Sequence, residues 1–387
     1  MVCVASDGDS RLMKAMRTHS VVQASPCSEW PWFQMNRKTD FIRIRDFVHI
    51  LVKLKSRLLK LSIILPIGPN TLASKGHLTE ATLRFTKDEH GISPSFLDNR
   101  NKMNFRSADM MCSKKATGFL ISSGIDNCEG TVVYLQLMRS VYMSFADPSL
   151  PPLQRVEMLW EELFFLRFWR EWIVNTNGDY ILSRNFITLN AYMCIELNAH
   201  ALIQLIVILR DAEECHLFMP WLFSSQPCES LFRLLRSLSS TLCTQFPRNM
   251  KAFEAVQGKE FICTVLPENF EIEAAVHSAF KRAANRAVKL KILKSVPKKI
   301  PAANLPSYQP ENSADDDDED EGLAHGNEDN DFPFDDDPTG EGDELADVVE
   351  DIMVASTGRI GLKTFNNIDV SPTSPFVRVK DAGPNPT

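Results

Sequence analysis

Cysteine pairs at metal-binding spacing are missing from this chain. Its cysteines stand at 3, 27, 112, 128, 194, 215, 228, 243 and 263, so there is no CxxC and no zinc-ligand pattern. Several fall inside apolar helical runs, which points to reduced, buried thiols in an intracellular protein. Long apolar runs are lacking too. The most apolar stretch, 201–209 (ALIQLIVIL), is about half the length a bilayer requires, so no membrane partner is expected. No signal peptide is expected either, because Asp7, Gly8 and Asp9 interrupt the opening apolar residues. A glycine-rich phosphate loop is likewise not found.

Basic residues are absent from one long segment. Residues 315–351 hold 19 Asp and Glu and no Lys or Arg, within a chain of 42 basic and 50 acidic residues and net charge −8. Removing that segment leaves 42 basic against 31 acidic residues, or +11. The body is therefore basic, as expected of a nucleic-acid partner, and the tail is the acidic exception.

What is present begins with two strand-then-helix patterns. Residues 1–6 (MVCVAS) are β-prone and lead to Asp7 and a helical RLMKAMR; residues 41–45 (FIRIR) alternate apolar with basic and lead to Asp46 and VHILVKLKSRLLKL. An Asp at the carboxyl end of each of two strands suggests a parallel α/β sheet, since ligands and metals collect at that edge. Either Asp also suits the simpler job of capping the helix that follows. Residues 153–174 and 185–210 read as long helices, the first apolar nearly all round, so its aromatics are expected in a core. There, Arg155, Arg167 and Arg170 are expected to pair with Glu157, Glu161 and Glu162 as readily as with phosphate. Glu196, Asn198 and His200 interrupt the second helix; His200 reads as a hydrogen-bonded core histidine, because no second His or Cys stands three or four residues away on the same face.

The segment 219–241 (MPWLFSSQPCESLFRLLRSLSST) reads as a capped helix. Ser224 or Ser225 suits the N-cap and Pro227 the first turn, which places Glu229 where the helix dipole favours a carboxylate. On spacing alone this is an amphipathic helix with a dipole-matched Glu. Its residues Gln226-Pro227-Cys228-Glu229-Ser230-Leu231-Phe232-Arg233-Leu234-Leu235-Arg236 also resemble the Gln-Asp-x-x-Glu-x-x-Phe-x-x-x-Arg segment of P element-like transposases, with Pro227 where an Asp is usual. Ser6-Asp7-Gly8-Asp9-Ser10-Arg11 resembles the segment carrying that family's second catalytic Asp. Asp46-Phe47-Val48-His49 with Lys53 resembles its Asp-x-x-His-x-x-x-Lys signature.

The three motifs stand in the family's order, and the resemblance covers roughly residues 1–250. It implies a partial ribonuclease H-like sheet interrupted by a large helical insertion, giving an α/β segment joined to an all-α part. It also implies that Asp7 and Glu229 are metal-ligand carboxylates for Mg²⁺ or Mn²⁺, supported by Asp46, His49, Gln226 and Arg233, and that the partner is DNA. The family's first catalytic Asp belongs to a strand ahead of Asp7, so the expectation is either an inactive remnant with a vestigial site or a fragment of a longer DNA transposase. The helical runs also resemble the insertion domain of an animal transposase-like family. GTP binding, known in some relatives, is not carried over.

The expected division is therefore residues 1–60 as the α/β segment, 61–105 as a loop-rich connector, 106–215 as the helical insertion, 216–299 as the returning helix with a basic helical segment, and 300–387 as a disordered acidic tail. Residues 272–292 are the basic helix. Lys281-Arg282 with the later Lys298-Lys299 cluster resembles a bipartite nuclear localisation signal, so a nuclear location is expected. The competing expectation is a nuclear scaffold without chemistry, whose acidic tail recruits a protein partner.

Overall fold

The computed structural model describes residues 2–6, 30–33, 41–98, 104–176, 178–224 and 265–301. Strands β1 (Val2–Ser6) and β2 (Phe41–Arg45) pair in parallel, in register from Val2 opposite Phe41 to Ser6 opposite Arg45. The two stretches expected as neighbouring strands are thus neighbours. β2 is legible from its pattern, because Ile42 and Ile44 are both fully buried. Helix α1 (Phe47–Leu59) follows at once, capped by Asp46.

The stretch expected as a loop-rich connector holds more order than that. Strands β3 (Leu65–Pro66) and β4 (Leu72–Ala73) form an antiparallel hairpin, followed by α2 (Lys75–Arg84), α3 (Lys87–His90) and a 3-10 turn at Pro94–Leu97. Leu65, Ile67, Leu78, Ala81 and Ile92 are all buried in the common core, so tertiary packing overrides a glycine- and proline-rich composition. Gly68 carries the hairpin past the end of a distant helix. Its φ is +142° and an added Cβ would stand 2.3 Å from the Leu290 carbonyl oxygen, so only glycine fits.

The remaining helices build the body: α4 (Phe105–Met111), α5 (Lys114–Ser122), α6 (Glu129–Ala146), α7 (Pro152–Val174), α8 (Leu182–Asn185), α9 (Leu189–Asp211) and α10 (Asn269–Lys289). Among the described residues the protein is mostly helical, with two small two-stranded sheets. Helix α7 is central, packed by α6, α9 and α10. That is why it is apolar nearly all round: Trp160, Phe164, Phe165 and Trp169 are at most 1% exposed. Even its indoles find acceptors, Trp160 donating to Ala199 O at 3.2 Å and Trp169 to Pro66 O at 2.6 Å. Helix α9 is long and apolar enough to cross a bilayer, but it is a core helix, buried against β2, α1 and α7.

The arginines of α7 do not pair within their own helix as expected. Arg155 donates to the carbonyls of Leu150, Ser144, Phe145 and Asp147, closing the corner between α6 and α7. Arg167 reaches Glu196 of α9, and Arg170 lies over the Tyr192 ring. Glu157, Glu161 and Glu162 instead receive Arg282 and Arg286 of α10. Residues 1–225 and 261–332 belong to one compact unit, so the insertion 106–215 has no core of its own separate from the α/β segment and α10. Residues 226–260 and 333–387 lie outside the described residues, as does the expected disordered tail from 302 onward.

Candidate functional site

The carboxyl end of β2 carries two of the expected site residues, Asp46 and His49. Asp46 follows β2 directly and is fully buried. Its Oδ1 accepts the Val48 N–H at 2.8 Å, satisfying one of the orphan donors of the α1 first turn. The capping role is therefore real. The same carboxylate also receives a hydroxyl from far along the sequence: Ser224 Oγ lies 3.3 Å from both Asp46 oxygens. His49 Nε2 stands 4.0 Å from Asp46 Oδ2, one turn into α1 and 18% exposed. Lys53, one turn further on the same face, donates to Asn190 Oδ1 at 2.9 Å, at the start of α9.

Two anchors bring Ser224 there. The segment after α9 contains two 3-10 turns, Cys215–Leu217 and Pro220–Leu222, and buries Phe218, Pro220 and Trp221. Trp221 lies under the Arg155 guanidinium, 5.4 Å from ring centre to Cζ. Ser224 then spends its hydroxyl on Asp46, where the sequence assigned it to the cap of a following helix; Ser225 lies outside the described residues.

The strand end is closed on its other side by Asn198. Its Oδ1 accepts the Arg45 N–H at 2.7 Å and its amide donates to the Arg45 carbonyl at 2.8 Å. A helix side chain thus makes the two hydrogen bonds a neighbouring strand would make. The sequence marks Asn198 only as a polar residue in an apolar helix, and nothing in the spacing points to Arg45, 153 residues away.

Beside this lies a buried polar cluster on α9. Arg167 grips Glu196 through two bonds of 2.8 and 2.7 Å, and Tyr192 donates to the same carboxylate at 2.6 Å. Burial alone would push the Glu196 carboxyl up, but the charge and hydrogen bonds of Arg167, with His200 and Tyr192, hold it below the usual range. His200 is in the core as expected, yet not hydrogen-bonded: both ring nitrogens lack a partner. Its Nε2 is 3.8 Å from Glu196, but burial holds the imidazole down to about 3, so the contact is not an ion pair at neutral pH. The ring sits between Trp160 and Phe33, at 5.0 and 5.2 Å.

Of the residues carried over from the family, Asp46 and His49 are brought together here. Asp7, Gln226, Glu229 and Arg233 lie outside the described residues, and so does any test of the Mg²⁺ or Mn²⁺ site they imply. The two halves of the localisation signal differ. Arg282 is engaged by Glu157 and Glu161 at 3.2 and 2.6 Å, whereas Lys281, Lys298 and Lys299 are exposed. Comparison with protein-family models, curated proteins and solved structures finds no match for this chain.

Proposed function

We propose that the chain is a transposase-derived protein whose DNA-directed site is assembled at the carboxyl end of β1 and β2. One observation carries this reading. Ser6 pairs with Arg45, and Ser224 touches Asp46, so the residue before Asp7 and a residue five positions before Glu229 meet at one strand end. The two carboxylates singled out by the resemblance are far apart in sequence, and their flanks converge. A capped helix of no further purpose has no need of that convergence.

In this reading Asp7 and Glu229 would hold Mg²⁺ or Mn²⁺, hard cations that favour carboxylate oxygen. When bound, the ions supply activation of a water or 3′-hydroxyl and stabilisation of the leaving oxygen on DNA. The chain's own described residues position the site: Asp46 ties the start of α1 to the segment entering residue 225, and Asn198 fixes the end of β2. The basic body suits a DNA partner, and the reading carries a nuclear location with it. The full reading is of a ribonuclease H-like sheet interrupted by the helices of the body.

Calorimetric titration of Mn²⁺ tests it. Wild type should give a saturable heat that both Glu229→Gln and Asp7→Asn abolish, with thermal stability barely altered. Equal heats from all three proteins would sink the proposal. The second reading, a scaffold without chemistry, is favoured by the satisfied state of Asp46, whose carboxylate already serves a cap and Ser224. It predicts no Mn²⁺ heat in any of the three.

A further inference from the structure

The last described stretch, from α10 to Pro301, carries a row of lysines that the fold holds outward. Between Glu273 and Glu311 the sequence has eight basic residues and no acidic one. Arg282 and Arg286 face the carboxylates of α7, and Lys289 reaches Glu129 at 3.2 Å. Lys291, Lys294, Lys298 and Lys299 are all exposed and have no ion-pair partner among the described residues. They are not on a loose strand. Lys291 takes a left-handed turn at φ 60°, closed by Lys291 N–H to Val288 O at 3.0 Å and Ile292 N–H to Ala287 O at 2.9 Å. Leu290 and Ile292 are buried, Leu293 and Ile300 pack on the core, and Gly68 abuts the Leu290 carbonyl. Leu290, Ile292, Leu293 and Ile300 turn to the core while the four lysines, with Val296, face outward.

We infer that this lysine row is a docking surface for polyanions and that its resident occupant is the chain's own acidic segment, 315–351. Three observations select that occupant. Its charge is complementary, with 19 acidic residues and no basic one. It is tethered to the surface, since residues 302–314 alone separate Pro301 from Asp315. A coil of that length spans about 20 Å root-mean-square, giving an effective concentration in the millimolar range. And the row lies next to the tether, because Lys298 and Lys299 directly precede Ile300 and Pro301. At physiological ionic strength the screening length is about 8 Å, so only near contact is productive and the docking is salt-sensitive. An external polyanion, such as single-stranded DNA, competes for the same lysines. This inference stands independently of the transposase reading.

Zero-length carbodiimide cross-linking of the full chain, at high dilution and mapped by mass spectrometry, tests it. Lys291, Lys294, Lys298 and Lys299 should join carboxylates of 315–351 within the monomer, several-fold more than the exposed Lys114 and Lys115, and 0.5 M salt should erase the excess. Neutralising Asp315, Asp316, Asp317, Asp318, Glu319 and Asp320 to amides should then tighten binding of a single-stranded oligonucleotide several-fold. Equal yields at Lys114 and Lys115 would overturn the inference. So would links that form only between chains as concentration rises, which would put a second copy's acidic segment on the row. Oligonucleotide affinity unchanged by neutralisation would remove the acidic segment as the competitor.

Discussion

His200 shows how a single side chain sets a pH dependence. Its imidazole is held near 3 by burial, against an ordinary value of 6.5. As pH falls below 6.5 the unfolded chain takes up the proton first, so the stability contribution is complete above 6.5 and declines between 6.5 and 3. Glu196 adds a second loss in more acid solution, because its carboxyl is held below its ordinary value of 4.5. His200→Leu removes two unpaired buried nitrogens at similar volume. It should leave stability at pH 7 unchanged or raised by about 1 kcal/mol, and flatten the decline between pH 6.5 and 5, as read from urea midpoints. Arg167→Met should do the opposite. It strands the Glu196 carboxylate in the core and should cost about 3–5 kcal/mol. The sequence places His200 in the core because no second His or Cys stands one helical turn from it. It gives no sign of the aromatic box, because Phe33 and Trp160 come from distant segments.

At the scale of elements, the contact between α7 and α10 is an apolar seam flanked by ion pairs of unequal depth. Phe280 packs on Phe164 and Phe168 at 5.2 and 5.7 Å, and Arg286 lies over the Phe165 ring at 4.3 Å. Glu162 is nearly sealed, and burial pushes its carboxyl up in spite of Arg286. Arg286→Met should therefore cost about 1–3 kcal/mol, since Glu162 can take up a proton and limit the loss. Arg282→Ala, at a half-exposed pair, should cost about 1 kcal/mol or less, and that difference should vanish in high salt. Chemical denaturation of the two variants separates them. The helices themselves are legible from periodicity, within a few residues at each end. Their partners are not, because Glu162 and Arg286 are 124 residues apart and neither pattern mentions the other. Similarly, the hairpin around Gly68 looks like a linker until Leu290 is placed beside it.

Across the whole molecule, the expected boundary between an insertion and its host does not correspond to a gap in packing. Helix α9 leans on β2 and α7 leans on α10, so residues 106–215 expressed alone lack both supports. That fragment should fail to give a cooperative melt by circular dichroism and should bind a hydrophobic dye, whereas the full chain should do neither. The strand pair is readable because FIRIR alternates and each strand ends near an Asp. The site is only partly readable: Asp46 and His49 stand in a motif, but Ser224 and Asn198 reach it through the fold.

Asn198 also sets an order of events. Its two bonds to Arg45 span 153 residues, whereas the paired residues of β1 and β2 stand much closer in sequence and α6 and α7 are joined by a tight corner. Contacts of such separation wait on loop closure, so the strand end is sealed late, after the helices have met. Asn198→Ala leaves a buried N–H and carbonyl unpaired and should cost about 2–4 kcal/mol. In stopped-flow measurements nearly all of that loss should appear as faster unfolding, with the refolding rate almost untouched. The bond that finishes the sheet is then also the latch whose release starts its undoing, and it governs how long a folded molecule lasts rather than how quickly one is made.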